Sequence, residues 1–167
     1  SAEELHKSNQ EALAINGVAL SFDRSSIPHL LNLQEDEQQD GVVAYPFEKT
    51  GDIVIGRVSP DSDDSEPKPD IIIYGLGISR KHATVTRTEE NRVFIDRVGG
   101  SLLNVNGRPV TEKVELTSND RVIIGNNHVF RFVNPLEQGF DPATGAQFDW
   151  DFAQKEFVSY QLQSISR

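Results

Sequence analysis

The chain has no cysteine and no methionine, and it holds a single tryptophan. Without a thiol there is no disulfide, no thiolate nucleophile and no thiolate metal site, a composition that fits a reducing cytosol. No stretch approaches the roughly 20 apolar residues that a membrane helix needs, and no charged-then-apolar signal peptide opens the chain. Positive charge is also scarce, with 16 Lys and Arg against 26 Asp and Glu and a net charge of −10. That balance argues against nucleic-acid partners and against direct membrane binding, both of which draw on basic surface. It leaves room for one phosphate held by a local basic cluster. No GxxxxGK[ST] phosphate loop is present, so the chain is expected to bind neither ATP nor any other cofactor. A chain that begins Ser-Ala and lacks methionine is expected to be a piece of a longer protein.

What is there reads as one globular domain with flanking segments: 167 residues, 37% hydrophobic and 25% charged. Residues 1–16 lean towards a helix or coiled coil, with Leu5, Ala12 and Ile15 near heptad spacing and Asn16-Gly17 suited to a left-handed C-terminal cap. From Pro28 the pattern becomes a series of short β-type runs, among them His29–Leu33, Val42–Tyr45, Asp52–Ile55 and Ile71–Tyr74. The series continues through Ala83–Thr86, Val93–Asp96, Val114–Leu116, Val122–Ile124 and Val129–Val133. Short, frequent strands without helical periods between them predict an all-β, antiparallel sandwich over residues 17–134. Asn106-Gly107 is a strong hairpin turn, and Gly125-Asn126-Asn127 is a second. Ser59–Pro69 is acidic and rich in serine and proline, hence a solvated, mobile loop. Residues 135–148 read as a linker. Asp149 then caps a helix over 149–167 in which Trp150, Ala153, Phe157 and Tyr160 recur at coiled-coil spacing. These groups either cover the sandwich or pair two chains into a homodimer.

The chemistry-bearing residues stand on turns between strands: Gly56-Arg57, then Ser79-Arg80-Lys81-His82, then Asn106-Gly107. If those turns converge at one end of the sandwich, they bring an arginine, a hydroxyl and a basic pair to one point. Arginine suits phosphate because its planar fork donates two parallel hydrogen bonds. Gly56 allows close backbone approach, and Ser79 offers a hydroxyl donor on a turn whose N–H groups can face an anion. His82 is placed to hold the loop in shape. A Ser79–His82 nucleophile and base would need an orienting third group and an oxyanion site, and neither is indicated, so no catalytic residue is assigned. His6, His29 and His128 lack metal-ligand spacing, and the acidic run Asp61–Glu66 lacks the turn glycine of a calcium loop, so no metal site is assigned.

The strings IGR, ISRKHATV, SLLNVNG and DRVIIGNNHVFRF resemble, in order, the pattern of a forkhead-associated (FHA) domain. That resemblance implies a sandwich of about eleven strands whose loops bind phosphothreonine peptides. By position it assigns phosphate contact to Arg57, Ser79 and Arg80, with Lys81 and Ser101 beside them, and loop bracing to His82. The chain departs from the pattern at Gly100-Ser101-Leu102-Leu103, where the family carries Thr-Asn-Gly-Thr. A serine hydroxyl makes fewer hydrogen bonds than an amide, and a glycine has no side chain to offer. A narrower resemblance, to the FHA region of kinesin-3 vesicle motors, rests on Gly17–Leu20, Pro28–Asp36, Asn126–Phe132 and Asp149–Glu156. It implies a cytoplasmic, cytoskeleton-associated motor whose microtubule- and ATP-binding head lies outside this chain. The expected partners are then a protein or phosphopeptide ligand, or a coiled-coil segment of the same molecule. The alternative is a structural spacer that positions adjacent coils and has lost ligand binding. The acidic loop adds a regulatory possibility: phosphate at Ser59, Ser62 or Ser65 could dock onto Arg57 and Arg80 in cis.

Overall fold

In the computed structural model the described residues are 22–59 and 67–165. The segment 1–16 expected to be helical and the acidic run Asp61–Glu66 therefore lie outside the described residues, together with Ser62 and Ser65. The strands are β1 (His29–Asn32), β2 (Ala44–Pro46), β3 (Gly51–Gly56), β4 (Ile71–Ile72), β5 (Ala83–Arg87) and β6 (Val93–Arg97). They continue with β7 (Leu103–Val105), β8 (Arg108–Pro109), β9 (Val114–Leu116), β10 (Arg121–Ile124) and β11 (His128–Val133). A six-stranded sheet in the order β2-β1-β11-β10-β7-β8 faces a five-stranded sheet in the order β4-β3-β5-β6-β9.

Period-two alternation explains the packing. Ile53 and Ile55 of β3, Ala83 and Val85 of β5, and Val93 and Ile95 of β6 point inward. They meet Leu30, Val122, Ile124, Phe130 and Phe132 of the opposite sheet, and all of these are buried in one core. Phe47 and Phe132 stack with ring centres 6.3 Å apart inside it. On β10 and β11 the intervening residues Ile123 and Val129 are buried as well, in a second cluster with Leu33 and Ala153, against which Trp150 and Phe157 pack. β10 is thus apolar on both faces because a helix covers its outer side.

That helix, α1 (Trp150–Ile165), starts where expected: the Phe152 N–H donates to the Asp149 side chain at 2.9 Å. Of the two readings open for Trp150, Ala153 and Phe157, the structure shows cover for the sandwich. Tyr160 packs under the Arg108 guanidinium, 5.8 Å from it. Arg121 of β10 fastens the helix through a two-pronged ion pair with Glu156, at 2.7 and 2.8 Å, and lies 4.8 Å from the ring centres of both Phe148 and Phe152. The stretch read as a linker is more than a tether. It contains a 3-10 helix, Pro142–Gln147, capped by Asp141, and its Gly145 is buried against the Arg131 guanidinium.

One pairing departs from the antiparallel expectation. β3 and β4 run parallel, with Ile55 opposite Ile71 and Gly56 opposite Ile72. Asp70 anchors the pair: its carboxylate accepts from the Val54 N–H at 2.8 Å and pairs with Lys49 at 3.0 Å.

Candidate functional site

Gly56 ends β3 directly against the Ser79-Arg80 turn. A Cβ there would lie 2.7 Å from the Arg80 carbonyl carbon and closer still to its oxygen, so only glycine lets the two segments touch. The contact is held by the Arg57 N–H donating to the Ser79 carbonyl at 3.1 Å and the His82 N–H donating to the Ile55 carbonyl at 2.8 Å. It delivers Arg57, Arg80 and Lys81, all exposed, to one cavity of about 220 Å3. Lys68, Pro67 and Pro69 from the returning limb of the acidic segment, with Val58, complete the lining. Among the described residues, the lining holds four cationic side chains and no carboxylate. Arg80 and Lys81, adjacent in sequence, both face it.

His82 is buried, 1% exposed, and both ring nitrogens are committed. The Ser79 N–H donates to Nδ1 at 3.0 Å, so that nitrogen carries the lone pair, and Nε2–H donates to the Leu102 carbonyl at 2.6 Å. The ring therefore ties the Ser79 turn to the β6–β7 loop, in the bracing role expected of it. It also leaves no lone pair for the Ser79 hydroxyl, which instead accepts from the Ser101 hydroxyl at 3.0 Å. A serine–histidine dyad is not formed.

The expected convergence holds for two of the three turns and fails for the third. Asn106 and Gly107 do form the left-handed hairpin turn, with φ of 53° and 82°. That turn, however, stands at the other end of β7 from Ser101, roughly 17 Å along an extended strand. There the Asn106 side chain accepts from the Arg121 N–H at 3.0 Å and donates to Asp120 at 3.1 Å. A Cβ on Gly107 would fall 2.9 Å from the Glu156 carbonyl oxygen, so this glycine makes room for α1. The loop that meets Ser79 is Val98–Leu102, contributing Ser101 and the Leu102 carbonyl. Ser101 itself lines a neighbouring cavity of about 420 Å3 with Leu102, Asn104, Asn126, Phe157 and Gln161 among others.

Sequence reasoning missed Lys68. It lies in a segment read as loop, and only the prolines at 67 and 69, which stiffen the returning limb, hint that its side chain has a fixed place. Equally invisible was the Leu102 carbonyl, a backbone group whose partner is 20 residues away.

Among known proteins, a family profile described as the FHA domain matches residues 53–125. The kinesin-like protein KIF28 of Rattus norvegicus is 34% identical over 140 residues, covering 83% of this chain and 12% of that protein. The kinesin-like protein KIF1C of Homo sapiens is 32% identical over 180 residues, covering 95% of this chain and 15% of that protein. The chain thus spans about an eighth of the length of the curated relatives it matches. Among solved structures, full-length yeast Pml1p superposes with a TM-score of 0.52 at 16% identity, over 64% of this chain and 81% of that one. The fold, the profile match and the kinesin-like relatives together identify the chain as a member of the FHA domain family, of the kinesin-3 type.

Proposed function

We propose that the chain is a protein-interaction module of a kinesin-3-like motor and that it binds a phosphothreonine-type peptide at the cavity between Arg57, Lys68, Arg80 and Lys81. The observation that carries the reading is that cavity: among the described residues its lining holds four cations and no carboxylate, on a chain whose net charge is −10. A phosphate placed there meets planar forks from two arginines and point charges from two lysines. The chemistry is recognition, since His82 is locked and no nucleophile is activated. In the longer protein, microtubule binding, ATP hydrolysis and a cytoskeletal location would belong to a motor domain outside this chain. The partner would be a cargo adaptor or a segment of the same motor, and engagement would regulate transport.

Titration with a phosphothreonine peptide tests the reading. Arg57→Ala is expected to weaken binding by about 10–100-fold, or about 1.5–3 kcal/mol. Affinity unchanged by that substitution, or no preference for the phosphorylated over the plain peptide, refutes it.

A second reading has its own support. The Ser101 hydroxyl donates to Ser79 Oγ, so the one proton Ser101 could offer a ligand is engaged internally. With α1 clamped on the six-stranded sheet, the domain would then act as a structural spacer that fixes the angle of the following helix. Absence of any phosphopeptide binding, together with a docked helix, selects it.

A further inference from the structure

A second cavity lies away from the Arg57–Lys81 site, on the outer face of the six-stranded sheet. Its volume is about 520 Å3, within the range of roughly 300–1,000 Å3 typical of ligand sites. The floor is made by outward side chains of β1 and β11, His29, Leu31, Arg131 and Val133, and the linker closes over it with Pro135, Phe140, Pro142 and Gly145. Among the described residues no carboxylate appears in the lining, whereas Arg24 and Arg131 both do.

Arg131 is the unusual group. Its Nε–H is buried without a hydrogen-bond acceptor among the described residues, and its one side-chain bond is a long one, Nη1 to the Phe148 carbonyl at 3.4 Å. Arg131 as a whole is only partly buried, but a buried N–H without an acceptor is costly, so it marks a place where an acceptor belongs. Burial lowers the Arg131 pKa, and the charges of Asp40 and Asp149 oppose that effect from a distance. Each carboxylate already has a backbone partner: Asp40 accepts from the Gln34 N–H and Asp149 from the Phe152 N–H. Arg24 stacks over Phe22, and Phe22 packs edge-on against His29, so two of the lining residues are held by one ring outside the cavity.

We propose that this cavity is a second binding site, for a partner's acidic peptide segment in which an Asp or Glu carboxylate stands beside an aromatic or branched apolar side chain. The carboxylate would reach the Arg131 fork and Arg24, and the apolar group would cover Leu31, Val133 and Phe140. A carboxylate fits better than a phosphate: a dianion needs several donors around it, and most of this wall is hydrocarbon. Charge complementarity also points to a basic cluster, because a chain of net charge −10 disfavours an acidic peptide away from local positive charge.

The test is heteronuclear NMR on the isotope-labelled 167-residue chain titrated with acetyl-Glu-Phe-amide and, in parallel, acetyl-Gln-Phe-amide. Saturable shifts at Leu31, Asn119 and Val133, at least about ten-fold weaker with the glutamine peptide, are expected. Arg131→Gln should remove the preference for glutamate. The comparison of the two peptides on the unsubstituted protein stands even if that variant does not fold. Equal binding of both peptides, absence of shifts on this face, or shifts confined to the Arg57–Lys68 cavity overturn the proposal. Tighter binding of free 4-phenylbutyrate than of the glutamate peptide overturns it too, since the site would then serve a small carboxylate.

Discussion

Gly56→Ala isolates the contact on which the proposed phosphate site depends. The methyl group would sit 2.7 Å from the Arg80 carbonyl carbon, against the 3.5–4.0 Å of a comfortable carbon–carbon approach, so the turn must withdraw by roughly 1 Å. Both sides of the contact are backbone, and no rotamer change relieves it. Withdrawal of that size takes the Arg57–Ser79 hydrogen bond from 3.1 Å to roughly 4 Å, beyond bonding range. Overpacking contributes about 1–3 kcal/mol and the lost bond about 0.5–1.5 kcal/mol, together about 2–4 kcal/mol. With a urea slope of about 1–3 kcal/mol per molar, the unfolding midpoint should fall by roughly 1–2 M. Gly100→Ala is the matched control, because a Cβ there meets nothing within 4 Å, and its effect should stay within about 0.5 kcal/mol. Peptide affinity should fall with Gly56→Ala, since Arg57 and Arg80 lose their common register. A Gly56→Ala midpoint indistinguishable from that of the control would refute the claim that glycine is required where β3 meets the turn.

Two further outcomes follow from the helix and the histidines. Glu156→Gln leaves the Arg121 guanidinium, 12% exposed, without its counter-charge, though the Asn119 carbonyl and two rings still hold it. A loss of about 1–3 kcal/mol is expected. Because Trp150 is the only tryptophan, its emission should report α1 leaving the sheet at a lower urea concentration than the circular dichroism of the strands. Coincident transitions at the wild-type midpoint would contradict this. Burial lowers the pKa of both His29 and His128, with the nearby cations Arg24 and Arg131 adding to the effect on His29 and the His82 ring to that on His128. The unfolded chain therefore takes up these protons first as pH falls below about 6.5. Stability from these groups is intact at neutral pH, declines from about pH 6.5 to the folded pKa values and then levels off. Urea midpoints at pH 7.5 and 5.5 should differ less in a His29→Gln, His128→Gln variant than in the wild type; an equal difference refutes the assignment.

The sandwich was legible because its signals are local. Alternation in β3, β5 and β6, together with the Asn106-Gly107 turn, places most strands within a residue or two of where they lie. β4 was shortened and its direction missed, since a parallel pair depends on how a long excursion returns, and nothing in Ile71-Ile72 encodes that. Gly56, Arg57, Arg80, Lys81 and His82 were found by their residue types on one pair of turns. Asn106 and Gly107 were drawn into the same constellation because sequence order says nothing about which end of a strand a turn occupies. Three residues of β7 suffice to carry them to the opposite end. The helix clamp was hidden for another reason: Arg121 and Glu156 are 35 residues apart, and each alone looks like an ordinary surface charge.

The imidazole of His82 has a consequence for how this surface can change over time. One ring receives from the Ser79 amide on one side and donates to the Leu102 carbonyl on the other, so neither segment can be remodelled alone. An insertion or a bulkier residue around Leu102 would drag the serine with it, and the hydroxyl pair beside it would part. Mutations in the two segments should therefore combine non-additively, with a coupling energy of about 0.5–3 kcal/mol that disappears when the imidazole is removed. New ligand preferences on this scaffold would be reached most readily from Lys68 and its flanking prolines, which are the part of the rim the ring does not hold.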